Sequence, residues 1–315
     1  MMNKRLWIGG ALILIVLAVG SVNFFSALSK PTRAASDAAM PEARPLDPAS
    51  FDYGKKSTAP DGRTVKEFEI VAEDRTMEIA DGVEMPVWSF NGTVPGPTIR
   101  VTEGDYVRIK FTNKSKFPHT VHLHGIHPAK ADGTFESVAP GGTYVYEFTA
   151  ELPGLYLFHC HQEPVAEHIN QGMYGTFIID PKTPRPPAKE LTMVMNSYDI
   201  DFDGEANEFY TVNGKAFEYM DNPIELKVGE PVRIYLVNMT EIDPLNSFHI
   251  HGNMFKYYNN GTMPEPDQIT DNVILGQGQR GIIEFTYKYP GKYLFHAHQS
   301  EFSSLGWKGI FNVTE

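Results

Sequence analysis

The second half of the chain repeats the landmarks of the first half in the same order. The repeated landmarks are residues 91–92 and 213–214 (NG), residues 104–109 (GDYVRI) and 229–234 (GEPVRI), residues 122–125 (HLHG) and 249–252 (HIHG), and residues 153–159 (PGLYLFH) and 290–296 (PGKYLFH). Four shared landmarks indicate that one domain has been duplicated. A chain of 315 residues is long enough for two domains that each bury a core.

Each copy has the pattern of a β domain. Residues 107–111 and 144–148 alternate in polarity, carry β-branched or aromatic side chains and lie between glycines and prolines. The chain contains 27 glycines and 23 prolines, and neither copy shows a long 3.6-residue period. The sequence therefore predicts an all-β fold of two similar sandwiches or barrels.

The ends of the copies predict the domain organisation. Lys4 and Arg5 precede an apolar run over residues 6–22 that is followed by small residues, so residues 1–29 are predicted to be a cleaved secretory signal or an uncleaved membrane anchor. Both alternatives export the rest of the chain to a periplasmic or extracellular face, with residues 6–22 as a possible membrane tether. The remaining predicted parts are a flexible linker (30–62), domain 1 (63–182), a proline-rich linker (183–190) and domain 2 (191–315).

The composition excludes several classes of function. With 27 basic and 39 acidic residues the net charge is −12, and no basic cluster lies beyond the extreme N-terminus. This charge argues against nucleic acid and anionic membrane surfaces as partners. The single cysteine excludes an intramolecular disulfide framework and a cysteine-based zinc site.

Eight of the eleven histidines form His-x-His pairs, two in each copy. The pairs are His122/His124, His159/His161, His249/His251 and His296/His298. Residues i and i+2 of a strand share one face, so each pair presents two imidazoles side by side. Imidazole is a ligand for copper or zinc, and eight are too many for one four-coordinate zinc ion. The pairs predict a multinuclear metal site.

A second site is predicted on the opposite face. Cys160 lies between His159 and His161, so strand alternation turns it away from their face. Two histidines, a cysteine thiolate and a weak axial methionine form the ligand set of a blue-copper centre. The candidates for that set are His119, Cys160, His168 and Met173.

These motifs resemble the copper motifs of the two-domain multicopper oxidases, which are built from Greek-key cupredoxin domains and are related to copper-containing nitrite reductases. The resemblance implies about four copper ions per chain. It assigns the type 1 copper to His119, Cys160, His168 and Met173, the type 2 copper to His122 and His249, and the type 3 pair to His124, His159, His161, His251, His296 and His298.

Domain 2 departs from domain 1 at the type 1 positions. Alignment of the copies places Asn246 opposite His119, Ala297 opposite Cys160 and Trp307 opposite Met173, with Phe302 near the position of His168. None of these is a copper ligand. We therefore expect one mononuclear centre, in domain 1, and half of a trinuclear site in each domain.

The resemblance implies an enzyme that oxidises a donor one electron at a time and reduces dioxygen to water. The donor is a small molecule, a metal ion or a small redox protein. A copper nitrite reductase is the alternative, although those enzymes carry aspartate where His122 stands and no histidine where His161 stands. A non-enzymatic copper or electron-transfer protein would need only the type 1 ligands.

Three residues near the ligand pairs have two possible roles each. Glu163 and Glu301 follow ligand pairs and are either proton donors or solvated carboxylates. His127 is either a support for a ligand or a loop histidine. The resemblance also implies a homotrimer, in which domain 1 of one chain meets domain 2 of the next in a closed ring.

Overall fold

The computed structural model describes residues 40–315, and it confirms the all-β fold. The predicted signal or anchor over residues 1–29 lies outside this part of the chain. The first copy contains β1 (Arg44–Pro45), β2 (Lys55–Thr58), β3 (Thr64–Ala80), β4 (Val83–Phe90), β5 (Thr93–Val94), β6 (Thr98–Thr102), β7 (Tyr106–Asn113), β8 (His122–Leu123), a 3-10 helix (Ala129–Ala131), β9 (Thr143–Thr149), β10 (Gly154–His159), α1 (Val165–Asn170) and β11 (Tyr174–Asp180).

The second copy has the same plan. It contains β12 (Lys189–Tyr198), β13 (Phe209–Val212), α2 (Glu218–Asp221), β14 (Ile224–Lys227), β15 (Val232–Asn238), β16 (Leu245–Ile250), β17 (Phe255–Asn259), β18 (Gln268–Thr270), β19 (Asn272–Gly276), β20 (Arg280–Phe285), β21 (Gly291–His296), α3 (Ser300–Ser304) and β22 (Lys308–Thr314). Among residues 40–315, none of the helices combines the length and apolar character needed to cross a bilayer.

Each copy is a sandwich of two sheets. In the first copy one sheet has the order β1-β5-β4-β3-β7-β9, with β2 paired to β3, and the other has the order β6-β11-β10-β8. In the second copy the orders are β13-β12-β15-β20-β17-β18 and β14-β22-β21-β16-β19. In both copies the smaller sheet carries the His-x-His strands, because β8 pairs with β10 and β16 pairs with β21.

The two copies share a buried core in addition to their own cores. Leu155 and Leu157 of β10 pack in one cluster with Tyr235 and Val237 of β15 and Ile282 of β20. The repeated strands β7 and β15 therefore differ in burial, since β7 alternates between buried and open residues whereas every residue of β15 is buried. The second face of β15 is covered by the first copy, which explains why alternation is lost there.

The structure corrects the prediction of a flexible linker for its described part, residues 40–62. Ala43 and Leu46 are buried, and β1 pairs in parallel with β5. The Leu46 N–H donates to the Asn213 carbonyl at 3.3 Å, so the segment reaches the second copy. Its apolar residues are sparse, which is why composition alone indicated a linker, yet Ala43 and Leu46 fill buried positions in the sandwich.

A partly buried ion network also joins the copies. Glu190 of β12 accepts hydrogen bonds from Arg100 of β6 at 2.6 Å and from Arg233 of β15 at 3.0 Å. Arg100 also pairs with Asp180 at 2.7 Å. Burial opposes ionisation of Glu190, but hydrogen bonds from Arg100 and Tyr235 outweigh it and lower the pKa to about 2. The carboxylate is thus ionised at neutral pH between two guanidinium groups.

Glu190→Gln is expected to lower the free energy of unfolding by about 2–3 kcal/mol at pH 7, because it removes the carboxylate shared by two buried guanidinium groups. Arg100 then keeps only Asp180 as an ion-pair partner, and Arg233 keeps only Glu284. The native pKa of Glu190 is depressed, so its contribution is present above the ordinary value near 4.5 and disappears as the pH falls toward about 2. Urea unfolding at several pH values measures this. Glu147→Gln, which removes a half-buried partner of the exposed Arg108, is the control and should cost less than about 1 kcal/mol. Equal effects of the two variants would contradict the prediction.

Candidate metal centres

Three predicted type 1 ligands converge in the first copy. The Nδ1 atoms of His119 and His168 are 3.1 Å apart, and Sγ of Cys160 is 3.2 Å from Nδ1 of His168 and 3.8 Å from Nδ1 of His119. His119 pairs with Val138 in an isolated bridge, Cys160 follows β10, and His168 lies on α1. All three side chains are buried. Two imidazoles and a thiol that share one buried point fit a copper ion.

Met173 lies beside this group. It is fully buried in the same apolar cluster as Cys160, and its carbonyl accepts the Cys160 N–H at 2.9 Å. The Met173 N–H in turn donates to the His168 carbonyl at 3.1 Å. The backbone therefore ties α1, the cysteine and the methionine into one short loop, which places Met173 next to the other three predicted ligands.

Burial sets the protonation of these ligands. It lowers the pKa of His119 to about 3 and that of His168 to about 4, so both imidazoles are neutral and able to bind metal at neutral pH. Burial raises the pKa of the Cys160 thiol, and a cation bound at this point would favour the thiolate instead. The Thr120 N–H donates to Sγ at 3.3 Å, a contact of the kind that tunes copper sites.

The histidine pairs of the first copy form a second group on the other face. One nitrogen from each of His122, His124 and His159 lies within 4.8 Å of the others, and the His161 ring is 5.2 Å from the His122 ring. Nδ1 of His122 donates to the Asp132 carbonyl at 2.8 Å, and Nδ1 of His159 donates to the Cys160 carbonyl at 2.8 Å. Both Nε2 atoms are thereby left as metal ligands.

The second copy repeats this arrangement. His249, His251 and His296 each bring a nitrogen within 4.8 Å of the others, and the His298 ring is 5.3 Å from the His249 ring. Nδ1 of His249 donates to the Asp271 carbonyl at 2.7 Å, and Nδ1 of His296 donates to the Ala297 carbonyl at 2.6 Å. The two copies thus present equivalent sets of four imidazoles.

The two histidine groups are separate within the chain. Within residues 40–315, no hydrogen bond or ring contact joins a histidine of one group to a histidine of the other. His251 and His298 are exposed and His249 and His296 are half-buried. The second group is therefore open at the surface of a single chain, whereas in the first group His159 is buried and His122, His124 and His161 are half-buried.

In the second copy, packing occupies the place of the mononuclear centre. The Trp307 indole N–H donates to Oδ1 of Asn246 at 2.9 Å, and both side chains are buried. Phe302 stacks on Tyr210 with ring centroids 3.8 Å apart. Ala297, opposite Cys160, is fully buried. These positions are therefore stabilised by apolar packing and by the hydrogen bond of the Trp307 indole, and none of them carries a copper ligand.

Sequence reasoning missed Trp88 and the two aspartates that hold the predicted type 2 ligands. The Trp88 ring packs on both His119 and His168, at 5.2 and 4.6 Å between centroids. Besides its carbonyl contact, Asp132 places a carboxylate oxygen 3.4 Å from Nδ1 of His122. No motif marks Trp88. Asp132 and Asp271 follow the HxHG motifs at different distances and hold the imidazoles through backbone carbonyls, so comparing the copies would not have found them.

The remaining candidates have different settings. Nε2 of His127 donates to the Leu123 carbonyl at 2.7 Å and lies 4.0 Å from Asp132. His127 is therefore packed near His122, whereas Glu163 and Glu301 are exposed.

Comparison with known proteins agrees with this geometry. Two multicopper oxidase family profiles match the chain, one over residues 71–184 and the other over residues 184–315. The chain belongs to the multicopper oxidase family. Within that family it is 53% identical to a crystallised multicopper oxidase, with a TM-score of 0.83 over 85% of this chain and 95% of that one.

This chain is also similar to copper nitrite reductases. It is 34% identical over 245 residues to the copper-containing nitrite reductase of Neisseria gonorrhoeae, a match that covers 71% of this chain and 62% of that protein. It is 28% identical to the copper nitrite reductase of Nitrosomonas europaea, with a TM-score of 0.73 over 80% of this chain and 94% of that one. The chain thus spans less than two thirds of the gonococcal protein.

Proposed function

We propose that the protein oxidises a donor one electron at a time at His119, Cys160, His168 and Met173 and reduces dioxygen to water at three coppers held by the eight paired histidines. The observation that carries this proposal is the second set of four imidazoles, which matches the first in its Nδ1 partners and in its Nε2 contacts. Copper supplies one-electron storage at each ion when bound, and dioxygen reduction needs four electrons.

The chain supplies the connection between the two sites. Cys160 is bonded through the backbone to His159 and His161, so the thiolate and two cluster imidazoles are joined by a short covalent path. The Cys160 side chain is fully buried, which keeps water away from this path. The donor reaches the protein from outside and is a small molecule, a metal ion or a small redox protein.

A homotrimer would complete the cluster. Each chain offers two sets of four histidines, and these sets do not meet within residues 40–315. Head-to-tail contact of domain 1 with domain 2 of the next chain, repeated until the ring closes, would join them. Export to a periplasmic or extracellular face, with residues 6–22 as signal or anchor, is part of the same proposal.

Nitrite reduction is the second candidate, and the relatives named as copper-containing nitrite reductases favour it. His122 and His161 argue against nitrite reduction. The resemblance implies that nitrite reductases have aspartate at the position of His122 and no histidine at the position of His161. Both side chains contribute to the first group of imidazoles. Their presence is the reason for placing dioxygen first.

Copper content and gas measurements separate these functions. We expect about four copper atoms per chain, and dioxygen consumption with a one-electron donor, without release of nitric oxide from nitrite. About two copper atoms with nitric oxide release would establish the reductase. About one copper atom without turnover would establish an electron-transfer protein. Elemental analysis with oxygen and nitric oxide electrodes makes the three measurements on one sample.

A further inference from the structure

Three aspartates gather in the loop between β12 and β13, in a part of domain 2 that the copper chemistry does not use. One carboxylate oxygen from each of Asp199, Asp201 and Asp203 lies within 4.8 Å of the others. Asp201 and Asp203 are exposed, whereas Asp199 is buried at 6% exposure. The group thus has one anchored member and two members that are open to solvent.

Two buried oxygens of this loop have no hydrogen-bond donor. Oδ2 of Asp199 accepts the Gly204 N–H at 2.9 Å, but Oδ1 of Asp199 is buried and unpartnered. Asn207, also 6% exposed, donates its Nδ2 to the Glu241 carbonyl and to Asp243, at 2.9 and 3.0 Å. That orientation leaves Oδ1 of Asn207 buried without a partner as well. Buried oxygens without a donor are costly and call for a ligand.

The charge of the loop points in the same direction. None of the three aspartates forms an ion pair within residues 40–315. Glu205 and Glu208 add further negative charge in the same ten residues. Carboxylates held this close repel one another unless a cation lies between them.

The spacing of the donors fits a calcium loop. Residues 199–204 read DIDFDG, with aspartates at the first, third and fifth positions and a glycine at the sixth. Gly204 has φ of +72°, the left-handed conformation that the sharp turn of such loops requires. The two unpartnered oxygens come from the first and ninth positions, which are both ligand positions in calcium loops. We propose that Asp199, Asp201, Asp203 and Asn207 bind one calcium ion.

The loop departs from the strongest calcium loops at one place. Tyr210 stands at the twelfth position, where a bidentate glutamate is usual. Glu208 does not replace that glutamate, because its Oε2 accepts the Ile200 N–H at 2.7 Å. We therefore expect a dissociation constant of about 10⁻⁵–10⁻³ M, in the range of weaker sites. Calcium is favoured over magnesium because calcium accepts irregular sets of oxygen ligands, whereas magnesium demands near-ideal octahedral geometry.

Calcium would stabilise the junction that this loop forms. The Asp199 N–H approaches Oδ1 of Asn170, on α1, at 3.4 Å, and Asn207 holds the backbone of Glu241. An ion at the loop would thus link β12, helix α1 of domain 1 and the segment before β16. Its main effect would be on stability.

Calorimetric titration of the copper-loaded protein with calcium chloride tests the site. We expect one saturable site per chain, and a rise of at least about 2 °C in the thermal midpoint at about 10 mM calcium. The double variant Asp201→Asn and Asp203→Asn, at two exposed positions, should lose both the binding heat and the shift. Asp221→Asn, an exposed aspartate elsewhere in domain 2, should keep both.

Three outcomes would overturn the site. They are the absence of saturable binding in the wild-type protein, unchanged calcium affinity in the double variant, and an equal thermal shift with magnesium at the same concentration. Circular dichroism of the double variant confirms that it is folded before it is titrated. None of these measurements depends on whether the enzyme reduces dioxygen or nitrite.

Discussion

Cys160→Ser is expected to remove the intense blue absorption and to reduce donor oxidation by far more than the roughly 10–100-fold that loss of an outer support of a metal site costs. The thiolate is the ligand that gives a blue-copper centre its colour, and Sγ lies 3.2 Å from Nδ1 of His168. Serine has nearly the same shape, so the fold should be kept. Visible absorption and steady-state oxidation of a one-electron donor measure the two effects.

Copper analysis distinguishes loss of this one site from loss of the protein. The Cys160→Ser variant should contain about one copper atom fewer per chain, because the paired histidines lie on the opposite face of the strand. Ala297→Ser places the same side chain at the matching buried position of domain 2 and should remain blue. Retention of the blue band in Cys160→Ser would refute the assignment of the mononuclear centre.

A mixture of two inactive variants is expected to recover activity. His122→Ala removes a ligand from domain 1 and His298→Ala removes one from domain 2, so each variant alone should consume no dioxygen while remaining blue. In a head-to-tail trimer, every mixed ring contains one interface with all eight histidines. Equal amounts of the two variants, combined at random, should therefore give about one quarter of the wild-type activity.

The recovery must come from the interface between chains. Coexpression with two affinity tags isolates the mixed rings, and an oxygen electrode measures their turnover. His122→Ala mixed with His161→Ala is the control, because both changes lie in domain 1 and no ring can assemble an intact set. Absence of activity in purified His122→Ala and His298→Ala mixed rings would mean that the cluster does not form between chains.

Local geometry made much of this protein readable from its sequence. The repeat and the alternation of residues such as those of β7 predicted two β sandwiches. The two-residue spacing of the histidine pairs placed them on one face and Cys160 on the other, because successive side chains of a strand point to opposite faces of the sheet. The structure brings these side chains into the expected groups. Each of these inferences depends only on neighbours along one strand.

Tertiary packing decided what lies outside such local rules. Trp88 comes from β4 to cover His119 and His168, and nothing in its own segment marks that role. Residues 40–62 have a linker composition, yet Ala43 and Leu46 find buried positions in a surface formed by distant strands. Complete burial of β15 likewise depends on the other copy. These features are contacts between segments far apart in the chain, and their free energy comes from surfaces that exist only once the sheets have assembled.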